Sequence, residues 1–377
     1  MILKAFIIDA YRQLSAAKLF WLTLGLSVLV VVAFGSISFN ENGMTTFYGL
    51  QTINSDTIYE GSPWARGLYI GIYSNFLVTI WLSWIAAVLA LISTCTIFPE
   101  FVKSGAIELT LSKPISRIKL FFVKYFVSLL FVLLQVLLFC IGIFICVGLR
   151  IGEWNWAIFS AVPIVTIFYS YLFAVCVLVG MVTQSSITSL LITGIFWMVL
   201  WTAQSTEFWL NRFVINNSVK IESFEESLIE QKSQLDNLKS KSPDDFRIDK
   251  RQERIDEMEQ EVELAKETLD ELMFWYKPVS QTLVFLPKTR QTTQLLERWL
   301  SDDSGFDIQA MLRGEMQSVQ EIEEFDATTW GARRRETGRR LQEDYSSRSL
   351  WYVVGTSLLF EGFILGLSAW FFCRRDF

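Results

Sequence analysis

Six long apolar runs dominate this chain and leave it few ways to fold. They lie near 18–37, 72–98, 119–149, 156–182, 185–205 and 350–373. Each is long enough to cross a hydrocarbon layer about 30 Å thick, which takes roughly 20 helical residues. A backbone in lipid must satisfy its own polar groups, so such runs form helices. The expected fold is therefore an all-α membrane protein with six transmembrane helices. The first run exceeds an ordinary signal-peptide core and lacks a small-x-small cleavage site, so it is read as a retained anchor. Thr183 to Ser186 is the only break between the fourth and fifth runs.

Charge sets the orientation. Short segments on one side hold Lys4, Arg12, Lys18, Lys103, Lys113, Arg117, Lys119, Lys124, Arg374 and Arg375, whereas the other side holds Arg66 and Arg150. The positive-inside rule places both termini and the 98–118 loop in the cytoplasm. The implied location is a bacterial cytoplasmic membrane, crossed several times. Residues 1–17 read as an interfacial amphipathic helix, with Leu3, Phe6, Ile7, Ala10, Tyr11 and Leu14 at helical spacing. The 38–71 segment reads as a polar outer loop, and Trp64, Tyr69 and Tyr73 suit the headgroup layer.

Several chemistries are disfavoured. The chain has no histidine, and its five cysteines (Cys95, Cys140, Cys146, Cys176 and Cys373) fall in or at the ends of apolar runs without zinc-site spacing. No phosphate-cradling G-x-x-x-x-G-K-[ST] string occurs. No cofactor, metal or nucleic acid is expected on this chain, and no catalytic residue is assigned.

Residues 206–349 break the pattern. They carry 30 of the 39 acidic and 21 of the 33 basic residues, a local net of −9. Ile221, Phe224, Leu228, Gln231, Leu235 and Leu238 follow heptad spacing. After Ser242-Pro243-Asp244-Asp245, the series Ile248, Arg251, Ile255, Met258, Val262, Ala265, Leu269 and Leu272 does so again. Two heptad stretches around a Ser-Pro-Asp turn predict an antiparallel coiled-coil hairpin over 218–273, inserted between the fifth and sixth spans. Span parity puts this insertion outside the cell, where 218–273 offers a surface for an extracytoplasmic protein. The aromatic, proline-containing stretch 274–300 reads as packed on the membrane surface. Arg333, Arg334, Arg335, Arg339 and Arg340 cluster just before the last span, against the charge rule. Contact with lipid headgroups or pairing with Glu336, Glu343 and Asp344 are their two uses.

The most specific string lies between the second and third spans, FPEFVKSGAIELTLSKPISRIKLFFVKY from Phe98 to Tyr125. A short charged helix carries Glu100, Lys103 and Glu108; Gly105 permits close backbone approach, and Lys113-Pro114 ends the helix. Arg117, Lys119 and Lys124 mark the return to the membrane. Glu100, Gly105-Ala106-Ile107-Glu108, Leu111-Ser112-Lys113-Pro114-Ile115-Ser116-Arg117 and Lys124-Tyr125 together resemble the coupling loop of ABC transporter permeases of the ABC-2 class. The similarity is greatest to the copper-enzyme-maturation type, and it extends to the amphipathic start, the six spans and the Phe372-Cys373-Arg374-Arg375-Asp376-Phe377 ending. Val123, where that family often has glycine, and the large insertion depart from it. The resemblance implies a permease subunit that dimerises with a second copy and receives force from a separate cytoplasmic ATPase holding ATP and magnesium. A non-transporting scaffold working through the coiled coil is the alternative. Within the spans, Glu361 and Gln135 are candidates for a translocation path or a dimer seam, because a polar group in lipid is costly unless partnered. Gly355, Gly362 and Gly366 permit close helix contact.

Overall fold

The computed structural model describes residues 18–54, 58–103, 116–152, 154–241, 246–295 and 330–374. The predicted interfacial helix 1–17, the centre of the 98–118 loop and the hairpin turn at 242–245 lie outside these residues. The chain divides into two compact units.

The first unit holds the apolar helices. Helix α1 is Lys18–Gly35. A short antiparallel sheet follows, β1 Ser38–Asn40, β2 Gly43–Thr46 and β3 Gln51–Asn54, with Phe39 opposite Met44 and Met44 opposite Ile53. The described chain is otherwise helical, as an all-α membrane protein is; the sheet and the helix that follows it replace the loop expected over 38–71. Helix α2, Pro63–Gly71, starts at Ser62, whose hydroxyl accepts from the Ala65 amide, with proline in the first turn where no donor is needed. It runs through a π-helical stretch, Ile72–Ala86, into α3, Ala87–Thr94. Helix α4 is Ile97–Lys103.

Helix α5, Arg117–Ile151, is capped at its start by the Ser116 hydroxyl and closed by left-handed Gly152. Helix α6, Ala161–Thr183, is buried on nearly every face and is the hub of this unit. It packs on α4, α5 and α10, Thr356–Arg374, which follows a π-helical turn at Trp351–Gly355. Among the described residues, five segments are long and apolar enough to cross a membrane: Ile80–Val102, Arg117–Ile151, Trp156–Thr183, Ser186–Lys241 and Trp351–Arg374. The first run supplies a shorter apolar helix, Phe20–Gly35.

Close approach and buried hydroxyls hold these helices, since lipid removes the hydrophobic drive between them. A Cβ on Gly142 would meet Val31 of α1 at 2.8 Å. The Arg150 Nε donates to the Gly35 carbonyl at 2.9 Å, at the negative end of α1. Tyr69 and Tyr73 are buried within the chain. Their hydroxyls donate to the carbonyls of Phe34 and Ile158, each at 3.2 Å.

Helix α7, Ser186–Lys241, is continuous through the expected end of the fifth span at 205, so no break separates span from insertion. The second unit contains its residues from 202 onward, α8, Arg247–Leu283, and α9, Trp330–Ser347. Ile221, Leu228 and Leu235 of α7 bury against Ile255, Val262 and Ala265 of α8, flanked by Phe224, Ile248, Met258 and Leu269. Burying each aliphatic side chain contributes about 1.5–3 kcal/mol. Ion pairs Lys220–Glu261, Lys232–Glu259 and Lys266–Glu225 cross between the arms at 3.1, 2.6 and 2.6 Å. Being exposed, they set register more than stability. The basic cluster uses its charges within the unit. Arg339 pairs with Glu336 and Glu343, and Arg340 with Glu336 and with both oxygens of Glu222.

Candidate functional site

The charged elbow is described at its two ends. On α4, Glu100 is exposed while Phe98, Phe101 and Val102 are buried, so the acid faces outward from an anchored helix. Lys103 is the last residue of α4. Gly105, Glu108, Lys113 and Pro114 lie outside the described residues. On the returning side, Arg117 Nη1 donates to the Cys373 carbonyl at 3.1 Å, which ties the start of α5 to the end of α10. Lys124 Nζ sits 3.7 Å from the centre of the Phe101 ring, a cation–π contact that ties α5 to α4.

Beneath the elbow, aromatic rings join four helices. Phe98 of α4 lies 5.4 Å from Phe121 of α5 and 6.3 Å from Phe173 of α6. Phe121 lies 5.9 Å from Phe372 of α10, and Phe101 stacks on Phe372 at 6.3 Å. Phe173 stacks on Tyr125 at 5.3 Å. Rings that interlock at these spacings resist sliding past one another, which braces α4 against α5, α6 and α10.

Tyr125 leads to the buried carboxyl. Glu361 of α10 is 7% exposed. Its Oε1 accepts from the Tyr125 hydroxyl at 2.8 Å and its Oε2 from the Ser170 hydroxyl at 2.7 Å. The same hydroxyls have alternative acceptors, the Ser170 carbonyl at 3.1 Å for Tyr125 and the Ile167 carbonyl at 2.8 Å for Ser170. Each hydroxyl has one proton to give, and both make their shorter contact to the carboxyl. Glu361 thus fastens α10 to α5 and α6 at one point. Its cost of burial is offset by partners of its own chain.

Gln135 lies elsewhere. It is half-buried on α5, ten residues beyond Tyr125 and so about 15 Å along the helix. It lines a cavity with Thr23 and Ser27 of α1, Ala86, Ala87 and Ala90 of the second span, and Tyr169 of α6. The cavity holds about 20 Å³, room for about one water molecule. Small alanines open it, and Tyr169 closes its floor through a 2.6 Å hydrogen bond to Thr94. Glu361 does not line this cavity, so the two polar candidates form two sites.

A third polar cluster was not anticipated from sequence. Lys288 is buried, its Nζ donating to Thr356 Oγ1 at 2.6 Å and its amide to Ser357 Oγ at 2.9 Å. The Tyr171 hydroxyl is buried beside Ser357 and Thr292 and makes no hydrogen bond of normal geometry. Ser357 stands one helical turn before Glu361, and Tyr171 follows Ser170, so this cluster adjoins the Glu361 contacts. The sequence signal was the hydroxyl-rich stretch Lys288-Thr289-Arg290-Gln291-Thr292-Thr293. No group of three or more potential metal-ligating side chains occurs among the described residues. No known family, curated protein or solved structure matches this chain.

Proposed function

We propose that the chain is the permease subunit of an ATP-driven ABC exporter. In this reading it dimerises with a second permease copy and binds a cytoplasmic ABC ATPase subunit, which holds ATP and magnesium. ATP hydrolysis there drives transport or membrane extraction of a substrate. The observation that carries the reading is the charged string from Glu100 to Arg117, whose flanking helices are locked into the helical core by Phe98, Phe101, Phe121 and Phe372. An elbow that transmits force needs stiff attachments, and these rings provide them. Six crossings belong to the same proposal. Helix α1 has 18 residues and rises about 27 Å, close to the thickness of a hydrocarbon core. With α1 inserted, both termini face the cytoplasm of a bacterial cell and 206–349 lies outside.

The test is co-purification of an ATPase. Charge reversal at Glu100 and Glu108 together is expected to abolish it, whereas deletion of the hairpin 218–273 leaves it intact. Arg117 is unsuited to this test because its guanidinium also holds the end of α10. An ATPase retained by the doubly reversed variant refutes the proposal.

The second reading, a scaffold or sensor acting through a coiled coil, is favoured by one observation. The α7–α8 pair belongs to its own compact unit with its own apolar seam. It predicts that partner capture follows 218–273 and is indifferent to Glu100 and Glu108.

A further inference from the structure

We infer that the turn Phe47–Leu50 is a lipid anchor, inserted at the headgroup–acyl boundary where apolar helices of the first unit end. The strand order sends this turn back toward the helices. β1 leaves the end of α1, β2 returns and β3 leaves again, with Ser38 opposite Thr45 and Thr46 opposite Gln51. The Tyr48 amide donates to the Ser36 carbonyl at 3.1 Å and its hydroxyl to the Val32 carbonyl at 3.2 Å, so the residue lies alongside the last turn of α1. The described acids of this segment are at the opposite end of the strands. Glu41 follows β1, and the Glu60 amide donates to the Asn40 carbonyl at 3.2 Å. Three residues of strand, roughly 10 Å, separate the two ends.

The tip of the turn is apolar and faces outward. Phe47 and Tyr48 are each 63% exposed and Leu50 89%. Phe47 and Tyr48 both take left-handed backbone conformations, at φ 54° and 58°, a region that bulky side chains seldom enter. Such strain persists where the surroundings over-determine it, and it collects at functional positions. In water a cluster of exposed apolar side chains on a strained turn is unfavourable. At the edge of a bilayer it is favoured, because aromatic rings settle in the headgroup layer and leucine gains by entering the acyl region.

The helices beside the turn specify the occupant. Val31 of α1 lies against Gly142 of α5, and the Cys146 Sγ donates to the Val31 carbonyl at 3.7 Å. Helix α5 is a membrane-length segment whose apolar run ends at Leu149, immediately before Arg150. The Arg150 guanidinium lies 5.6 Å from the centre of the Tyr48 ring, so the turn sits where the apolar run stops. Another flank of α5 marks the same level. Trp154 and Trp156 are exposed there, their rings 5.1 and 5.0 Å from Phe144, as tryptophans in a headgroup layer are. Below the turn, exposed Val28, Leu29 and Val32 of α1 continue the apolar surface. A tip continuous with the outer face of the helices meets what those helices meet, which is phospholipid. The inference asks only that α5 cross a bilayer and does not depend on an ATPase or a transported substrate.

Fluorine relaxation tests it without disturbing the turn. The full chain is placed in phosphatidylcholine nanodiscs, with 4-trifluoromethylphenylalanine put by codon suppression in place of Phe47, of Leu50 or of Glu41, one position at a time. Dissolved oxygen concentrates in the acyl region and a neutral nickel chelate stays in water, so the two relax the fluorine signal from opposite sides. At 47 and 50 oxygen is expected to relax the signal roughly threefold more than nickel does. Exposed Glu41, at the far end of the strands, is the control and is expected to show the reverse. Nickel relaxation at 47 and 50 equal to that at 41 overturns the inference in favour of solvent. Protection of 47 and 50 from both agents overturns it in favour of a second copy or another protein.

Discussion

At the scale of single residues, Glu361 makes the clearest claim. Glu361→Gln keeps an acceptor for Tyr125, and its amide can donate to Ser170, so stability in detergent is expected to fall by less than about 1 kcal/mol. Glu361→Ala leaves Tyr125 and Ser170 only their carbonyl acceptors, removes the tie from α10 to α5 and α6 and opens a buried space, and is expected to cost about 1–3 kcal/mol, read as a lowered thermal midpoint. Glycines give a second contrast. A Cβ on Gly148 would lie 2.7 Å from the Trp154 ring and one on Gly142 would lie 2.8 Å from Val31, so Gly148→Ala and Gly142→Ala are expected to cost about 1–3 kcal/mol each. A Cβ on Gly362 or Gly366 would meet no other atom of this chain within 4 Å. Gly362→Ala and Gly366→Ala are expected to stay within about 0.5 kcal/mol of wild type in the same melts.

At the scale of elements, α9 depends on pH. The Arg339 guanidinium, with Arg340 beside it, holds the Glu336 carboxyl down from 4.5 to about 2. Arg340 likewise holds Glu222 below the usual carboxylate range. A depressed folded-state pKa means stability that is complete above the unfolded value and lost on acidification. The Glu336 pairs within α9 are thus expected to hold above about pH 4.5 and to weaken as pH falls toward 2, and the Arg340–Glu222 link from α9 to α7 to weaken on acidification as well. Proteolysis between the two helices, or loss of helical circular dichroism, reads this directly, and Glu336→Gln is expected to flatten the profile. High salt weakens the same pairing, since these groups are partly exposed.

Elements also show what the sequence could and could not reveal. Helix α5 was legible because its apolar run is unbroken between Ser116, a cap, and Gly152, a stop. The hairpin seam was legible because a period of seven needs no tertiary knowledge, and Ile221, Leu228, Leu235, Ile255 and Val262 are buried as the spacing requires. The sheet at 38–54 was not, because strands of three and four residues are too short to display alternation. The partners of Tyr69 and Tyr73 were hidden for another reason. An amphipathic ring suits the interface, but a carbonyl from a neighbouring helix satisfies its hydroxyl equally well. Lys288 was invisible as a buried residue until Thr356 and Ser357, some seventy positions later, supplied its partners.

At the scale of the whole molecule, the two compact units predict two unfolding events. Ile255→Ala empties the hairpin seam and is expected to cost about 2–5 kcal/mol. It should lower the midpoint of one transition by calorimetry in detergent, while Glu361→Ala lowers that of the other. A single shared transition moved by both variants would contradict the division. The hydroxyls that grip Glu361 also carry a lesson about biogenesis. Tyr125 and Ser170 precede it by 236 and 191 residues. At ordinary ribosome speeds that gap lasts on the order of 10–50 s. For that interval the nascent chain holds a docking groove on α5 and α6 with no α10 to fill it. Insertion machinery must shelter the half-built bundle, and a message cut short before codon 361 yields a product whose defect quality control can sense inside the bilayer.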